Sequence, residues 1–231
     1  MEEKCYTFHF GSKQFTAFGQ SVFLPPDLHY TKVLKLSRDT DWALLPKRIV
    51  IKVEDCKYSH LFDNEIRVYE HLEDLQGTVI PILYGLGSID GNRALVMSDI
   101  GGTALIEEET PRMENSQPET KLLPVLRQIR SRGVRLQDLS LLNVHLCEGE
   151  IRIVDFEAAE ILVGDQDDEE SEVADQVLDL VDFYERRRKG LEAIAKPHNR
   201  RKRHSRRPRT QGRNERLNEA VKPSSATAET K

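Results

Sequence analysis

The hydrophobic pattern of this chain changes its period near residue 55, and this change constrains the fold more than any other feature. Upstream, polar and apolar residues alternate before Pro25 and again across residues 30–36 and 48–53. Such alternation is typical of half-buried β-strands. Across residues 59–75, apolar residues recur at helical spacing after a predicted N-cap at Ser59. We therefore expect an antiparallel sheet followed by one helix.

The second half of the chain alternates shorter patterns of both kinds. Strands are predicted at 79–83 and 93–97, around the turn residues Asp90 and Gly91. A helix is predicted over 119–132, ending at Gly133, and a hairpin over 144–154. A last amphipathic helix is predicted over 173–184.

Charge divides the chain into an acidic body and a basic tail. Residues 186–231 hold 16 Lys and Arg against 4 Asp and Glu, whereas residues 1–185 hold 18 against 35. The tail has few apolar residues, so we expect it to be disordered. Only this tail has the charge to attract a nucleic acid, and its basic runs indicate either a nuclear signal or a solubilising segment.

The cysteines and the N-terminus indicate an intracellular protein. Cys5, Cys56 and Cys147 are far apart and form no C-x-x-C pair, which favours a reducing compartment. No basic segment followed by an apolar run opens the chain, and no run of about 18 apolar residues occurs. We expect a cytoplasmic or nuclear protein without a membrane partner.

One constellation of polar residues predicts phosphate chemistry. Asp138 is followed five residues later by Asn143, and Asp155 closes the apolar run 151–154. Lys52 ends a predicted strand, and Glu65 follows it by thirteen residues on the predicted helix. Phosphoryl transfer from ATP needs a cation near the phosphates, oxygen ligands for Mg²⁺ and a base beside the acceptor hydroxyl. The chain carries a candidate for each.

These motifs resemble those of the protein kinase-like superfamily over roughly residues 15–185. Asp138 and Asn143 match the spacing of H-R-D-x-x-x-x-N, and Asp155-Phe156 matches the start of D-F-G. The resemblance, closest to atypical or degenerate members, implies an α+β, two-lobed kinase-like fold. Its N-lobe, an antiparallel sheet with one helix, would span about 15–98 and its truncated helical C-lobe 99–185. Residues 1–14 would be an N-terminal extension, and 186–231 the disordered tail.

The resemblance also implies roles for seven residues. It assigns ATP to Lys52, Glu65 and the hinge residues Met97 and Ser98, Mg²⁺ to Asn143 and Asp155, and the role of base to Asp138.

The chain departs from the kinase pattern at several positions. No G-x-G-x-x-G precedes Lys52, and the nearest glycine-containing turn is predicted at Gly19. Leu136-Gln137 replaces His-Arg, Ser140 replaces a catalytic-loop lysine, and Glu157 replaces the glycine of D-F-G. No A-P-E follows.

Two main hypotheses result. The first is ATP-dependent phosphoryl transfer to a hydroxyl acceptor, a protein serine or threonine being expected. The alternative is a pseudokinase scaffold or nucleotide-binding module without catalysis. A third hypothesis makes the basic tail the working part, as a nuclear-localisation or nucleic-acid-binding arm on an inert body.

Overall fold

Six antiparallel strands in the N-terminal half of the protein form a closed barrel. The computed structural model describes residues 3–22, 30–37, 45–113, 117–163 and 169–195. The barrel strands are β1 (Lys4–Phe10), β2 (Lys13–Ser21), β3 (Tyr30–Ser37), β4 (Arg48–Glu54), β5 (Leu83–Ile89) and β6 (Asn92–Ser98). They are hydrogen-bonded in the order β1-β2-β3-β4-β6-β5, and β5 pairs back with β1.

Apolar side chains at alternating positions on the strands fill the inside of this barrel. Successive side chains on a strand point to opposite faces, so every second residue faces inward. Phe8 and Phe15 stack with ring centroids 5.5 Å apart. The other buried interior residues are Ala17, Leu34, Leu36, Leu45, Ile49, Ile51, Val53, Ile89, Ala94 and Val96.

The predicted α+β, two-lobed kinase-like fold with an antiparallel-sheet N-lobe is wrong, because the sheet closes into a six-stranded barrel. Phe8, His9 and Phe10 on β1 pair with residues 87–89 on β5. Gly87 permits this closure, since a Cβ there would lie 2.5 Å from the main-chain oxygen of His9. In addition, residues 1–196 form one compact unit with no division near residue 98.

Helices and short strands build the remainder of the protein. A 3-10 turn at Cys56–Tyr58 leads into α1 (Ser59–His71), and another follows at Glu73–Leu75. The other helices are α2 (Gln117–Arg130) and α3 (Glu169–Ala195). The short strands are β7 (Thr103–Ala104), β8 (Val134–Arg135), β9 (Val144–Cys147), β10 (Glu150–Ile153) and β11 (Glu160–Ile161). β7, β9 and β10 form one small sheet, and β8 and β11 form another.

A second hydrophobic core joins the three helices to these strands. Phe156 lies at its centre, fully buried, with its ring edge-on to Tyr69 at a centroid distance of 5.3 Å. Leu122 and Leu126 on α2 and Val177 on α3 belong to the same core. Within the described part of the chain, no helix is both long and apolar enough to cross a bilayer.

Most predicted elements are confirmed, with local corrections. Ser59 is not an N-cap, because its hydroxyl donates to the Cys56 carbonyl and Tyr58 holds the cap position without a side-chain bond. The strand predicted at 79–83 is absent from the described elements, and β5 begins only at Leu83.

The structure places regular elements in two segments that the sequence analysis assigned outside the kinase-like domain. Residues 1–14, expected as an extension, contribute β1 and the start of β2 to the barrel. Helix α3 continues to Ala195, into the segment expected to be disordered from Arg186 onward. The predicted disorder of residues 196–231 lies outside the described residues.

Candidate functional site

Three charged side chains from distant parts of the chain meet beside the barrel. The Lys52 ammonium lies 2.6 Å from Glu65 Oε1 and 3.1 Å from Asp155 Oδ1. Lys52 is on β4, Glu65 is on α1, and Asp155 follows β10. Because Ile51 and Val53 point into the barrel, Lys52 between them points outward, to the side occupied by α1.

Burial gives this cluster strong electrostatic coupling. The side chains of Lys52, Glu65 and Asp155 are 8%, 0% and 15% exposed. Burial alone would lower the pKa of Lys52, but the charges of Asp155 and Glu65 and their hydrogen bonds raise it overall. Burial, with the same two carboxylates, also raises the pKa of Tyr69 well above its usual value. The lysine is thus held as a cation between two acids.

Helix α1 fixes the segment that carries Asp155. Glu65 Oε1 accepts a 3.3 Å hydrogen bond from the Phe156 N–H. The Asn64 amide nitrogen donates to the main-chain oxygens of Glu157, at 2.9 Å, and Ala159, at 2.7 Å. Asp155 itself has a φ of 70°, in the left-handed region that asparagine and aspartate tolerate best among non-glycine residues. These bonds stabilise a backbone conformation that points the carboxylate at Lys52.

Asp138 and Asn143 belong to one hydrogen-bonded loop. The Asn143 amide nitrogen donates to the Asp138 carbonyl at 3.0 Å, and the Asn143 N–H donates to the Ser140 carbonyl at 3.0 Å. The Val154 N–H donates to the Asn143 carbonyl at 2.9 Å, which ties the loop to the residue before Asp155. Asp138 and Asn143, five positions apart, thus close a turn that is bonded to the residue after β10.

A cavity of about 10 Å³ lies among these side chains. Asp138, Asn143, Asp155 and Glu157 all line it. This space is sufficient for about one water molecule or small ion. The candidate base and both candidate metal ligands therefore face one small volume.

The donor set fits Mg²⁺ bound together with phosphate. Mg²⁺ usually takes one or two carboxylates and completes its shell with water and phosphate oxygens. Asp155 supplies a carboxylate, and Asn143 supplies an amide oxygen. Because the Asn143 amide nitrogen bonds to the Asp138 carbonyl, the amide oxygen points away from that carbonyl. Among the described residues, no three His, Cys, Asp or Glu side chains converge as a preformed metal site. Asp155 and Asn143 would thus supply two of the ligands, and water or phosphate oxygens would supply the others.

The hinge residues lie apart from this cavity, at the end of β6. The Ser98 N–H donates to the Ile82 carbonyl, and the Ser98 hydroxyl accepts from the Ile82 N–H, both at 2.9 Å. Met97 is buried and paired with Val50 and Leu83 on both sides of the strand. The Ser98 N–H, a backbone group of the predicted hinge, therefore already bonds within the fold.

Gly19 does not form the predicted glycine-containing turn. It lies inside β2, where a Cβ would meet the Lys35 main-chain oxygen at 2.0 Å. This glycine allows two strands to approach closely, and its position in a paired strand does not expose its backbone as a phosphate cradle.

Sequence reasoning missed two residues that support the site, Asn64 and Gln176, and a histidine with a perturbed pKa two residues after Asn143. Asn64 lies within α1, and a single amide side chain in a helix matches no sequence motif. Gln176 on α3 donates to the Leu136 carbonyl at 3.1 Å and so supports the Asp138 loop. His145 on β9 has a pKa lowered to about 4, chiefly by burial and then by the Lys35 charge. The position of Asn64 directly before Glu65 was the only available signal.

The comparisons with known proteins give no family. A scan against protein-family models finds no match for this chain, and a search of curated proteins finds none either. Any function must therefore be argued from the site itself.

Proposed function

We propose that the protein binds ATP with Mg²⁺ and transfers a phosphoryl group to a hydroxyl acceptor. The observation that carries this proposal is the convergence of Lys52, Glu65 and Asp155. Along the chain, Glu65 lies 13 residues and Asp155 lies 103 residues from Lys52. Burying charged side chains costs free energy of desolvation unless they pair with one another. Buried clusters of charged groups with perturbed pKa values are typical of functional sites. The kinase-like order of these residues supports the same proposal, which concerns side chains and not fold class.

Each side chain has a defined task in this proposal. Lys52, oriented by Glu65, would contact the α and β phosphates of the nucleotide. Asp155 and Asn143 would hold Mg²⁺, which neutralises charge on the transferring phosphoryl group. Asp138 is exposed at the cavity and would accept the proton of the acceptor hydroxyl. The expected acceptor is a serine or threonine of a protein.

Two substitutions predict slow transfer. Ser140 lacks the positive charge of the lysine usual at this position, and loss of one such electrostatic contact costs about 10² to 10³ in rate. Glu157, only 6% exposed, adds a carboxyl group to the lining of the cavity.

The second candidate function is nucleotide binding without catalysis, as in a pseudokinase scaffold. Ser140 and Glu157 favour it, since they weaken phosphoryl transfer. Lys52, Asn143 and Asp155 remain as ligands for nucleotide and metal. Both candidates require neighbouring segments to move, because a triphosphate is larger than the cavity of about 10 Å³. Both candidates share an intracellular location as part of the proposal, supported by the free thiols of Cys5, Cys56 and Cys147.

Thermal unfolding with and without MgATP tests the binding step. We expect millimolar ATP to raise Tm only when Mg²⁺ is present, and Asp155→Asn to abolish the metal-dependent part. Asparagine tolerates the left-handed backbone of Asp155, and Lys52 keeps its ion pair with Glu65, so the fold is retained. Asp90→Asn is the matched control, because exposed Asp90 also has a positive φ, of 53°, in a hairpin turn. No Tm shift in the wild type would exclude both nucleotide hypotheses.

A radiolabelled ATP assay distinguishes catalysis from binding alone. Transfer of the γ-phosphate to protein hydroxyls, lost in Asp138→Asn while the MgATP-induced Tm shift is kept, is the expected result. A normal Tm shift with no transfer in the wild type would leave nucleotide binding without catalysis as the function.

A further inference from the structure

A groove of about 300 Å³ lies next to the proposed base. Its apolar walls come from the Asp138 loop on one side and from α3 on the other, and they include Leu139, Leu141, Leu180 and Phe183. Leu136, Gln137 and Leu139 line both this groove and the small cavity around Asp138. A peptide with one side chain in the groove would therefore place a residue a few positions away beside Asp138, the proposed base.

The face of α3 beside the groove is both apolar and acidic. Leu178 and Phe183 are 56% and 52% exposed, which is unusual for large apolar side chains. Asp175, Asp179 and Asp182 are exposed at helical spacing on the same face, and Asp182 pairs with Arg186 one turn later. None of the described residues that line the groove is Lys or Arg.

We propose that this groove and helix face dock the acceptor as an extended peptide that carries an apolar side chain and neighbouring Lys or Arg residues. The apolar side chain would fill the groove, and Asp175 and Asp179 would bind the basic residues. Charge complementarity selects this occupant, because Asp179 lines the groove, exposed Asp175 lies one helical turn before it, and no Lys or Arg is among the described lining residues. The inference rests on the proposed function, since it names the acceptor for Asp138.

Direct binding of two labelled peptides to the full chain tests this proposal without requiring catalysis. One peptide carries a leucine, a serine and flanking arginines, and its counterpart has glutamates in place of the arginines. We expect fluorescence anisotropy to show binding of the basic peptide only, weakened at higher salt. Phe183→Ala should weaken it about tenfold, as expected for loss of an apolar anchor.

Two charge variants provide the matched comparison. Asp175→Asn with Asp179→Asn removes two charges at the groove, and Glu70→Gln with Glu73→Gln removes two exposed charges elsewhere. Weaker binding only in the first double variant is the expected result. Equal affinity in both double variants, or equal binding of both peptides, would overturn the proposal.

The outcomes also separate this inference from the proposed function. Peptide binding at the groove in a protein that shows no MgATP-induced Tm shift would retain the docking surface and reject the nucleotide function. MgATP binding with no peptide binding would do the reverse. Self-association of the wild-type chain that Phe183→Ala abolishes, with no peptide bound, would assign the face to a second copy and overturn the proposal.

Discussion

Lys52 and Asp155 form a 3.1 Å ion pair across 103 residues of sequence. The same ammonium lies 2.6 Å from Glu65, so two carboxylates share one buried cation. The pair therefore links the barrel, through β4, to the segment that follows β10. This link makes Lys52 a determinant of stability as well as a candidate ligand for phosphate.

Replacing Lys52 should strongly destabilise the protein. Lys52→Ala leaves two buried carboxylates facing each other without their cation, and breaking such a pair costs about 3–5 kcal/mol. Urea denaturation measures this loss as a fall in the free energy of unfolding. Lys32→Ala is the control, because it breaks a 2.9 Å pair with Asp90 whose side chains are 39% and 64% exposed. Such an exposed pair contributes about 0–1 kcal/mol. Equal losses in both variants would contradict the assigned role.

Asn64 should be required for the position of Asp155. Asn64→Asp keeps the size of the side chain but replaces the NH2 group, which donates two hydrogen bonds, by an oxygen. This oxygen would face the main-chain carbonyls of Glu157 and Ala159. We expect a loss of about 1–3 kcal/mol in unfolding free energy and a weaker Mg²⁺ dependence of the ATP-induced Tm shift. Arg67→Ala is the control, since exposed Arg67 donates to the Asn64 amide oxygen and its loss leaves both bonds of the Asn64 nitrogen in place. An Asn64→Asp variant with wild-type stability would refute this positioning role.

His145 should make the protein less stable in mild acid. Its pKa is lowered to about 4 in the folded state, first by burial and second by the Lys35 charge, against an ordinary value of 6.5. Between these values the unfolded chain binds the proton more readily than the folded one, so unfolding becomes easier as the pH falls from about 6.5 to 4. The associated loss is roughly 1–3 kcal/mol.

The pH dependence of unfolding for His145→Gln measures this contribution. We expect the variant to lose less stability than the wild type between neutral pH and pH 4. His60→Gln, at an exposed position on α1, should keep the wild-type slope. Parallel curves for the wild type and His145→Gln would reject the effect.

Local patterns predicted the elements that carry the candidate residues better than they predicted the overall fold. The strand ending in Lys52, the helix with Glu65 and the hairpin before Asp155 follow from short-range periodicity, and the structure has all three elements. Their order along the chain, which resembles the kinase pattern, led to the grouping of the residues as one candidate site. The bonds made by Asn64 and Gln176 were not predictable, because each depends on a main-chain carbonyl that is distant in sequence.

The barrel and the long third helix depended on such distant contacts. Barrel closure requires Gly87 to face the His9 carbonyl, and nothing in either segment alone predicts that pairing. The arginine-rich end of α3 resembled a disordered tail by composition. In the structure, Arg187 donates to the Ile106 carbonyl, and Glu192 pairs with Arg112 at 2.5 Å. These contacts extend the helix beyond its apolar pattern.

Gly102 should tolerate alanine much less well than its neighbour Gly101. Both have positive φ, 69° and 64°, so either substitution costs about 1–2 kcal/mol in backbone strain. At Gly102 a Cβ would also lie 2.3 Å from the Leu146 main-chain oxygen and 2.6 Å from Cys147 Sγ, whereas at Gly101 it would meet nothing within 4 Å. The Leu146 oxygen belongs to β9, so the strand that leads from Asn143 would have to shift. We expect Gly102→Ala to lose about 3 kcal/mol or more in urea denaturation, with a reduced MgATP-induced Tm shift. Similar losses for the two variants would mean that β9 moves freely and does not hold the Asn143 loop in place.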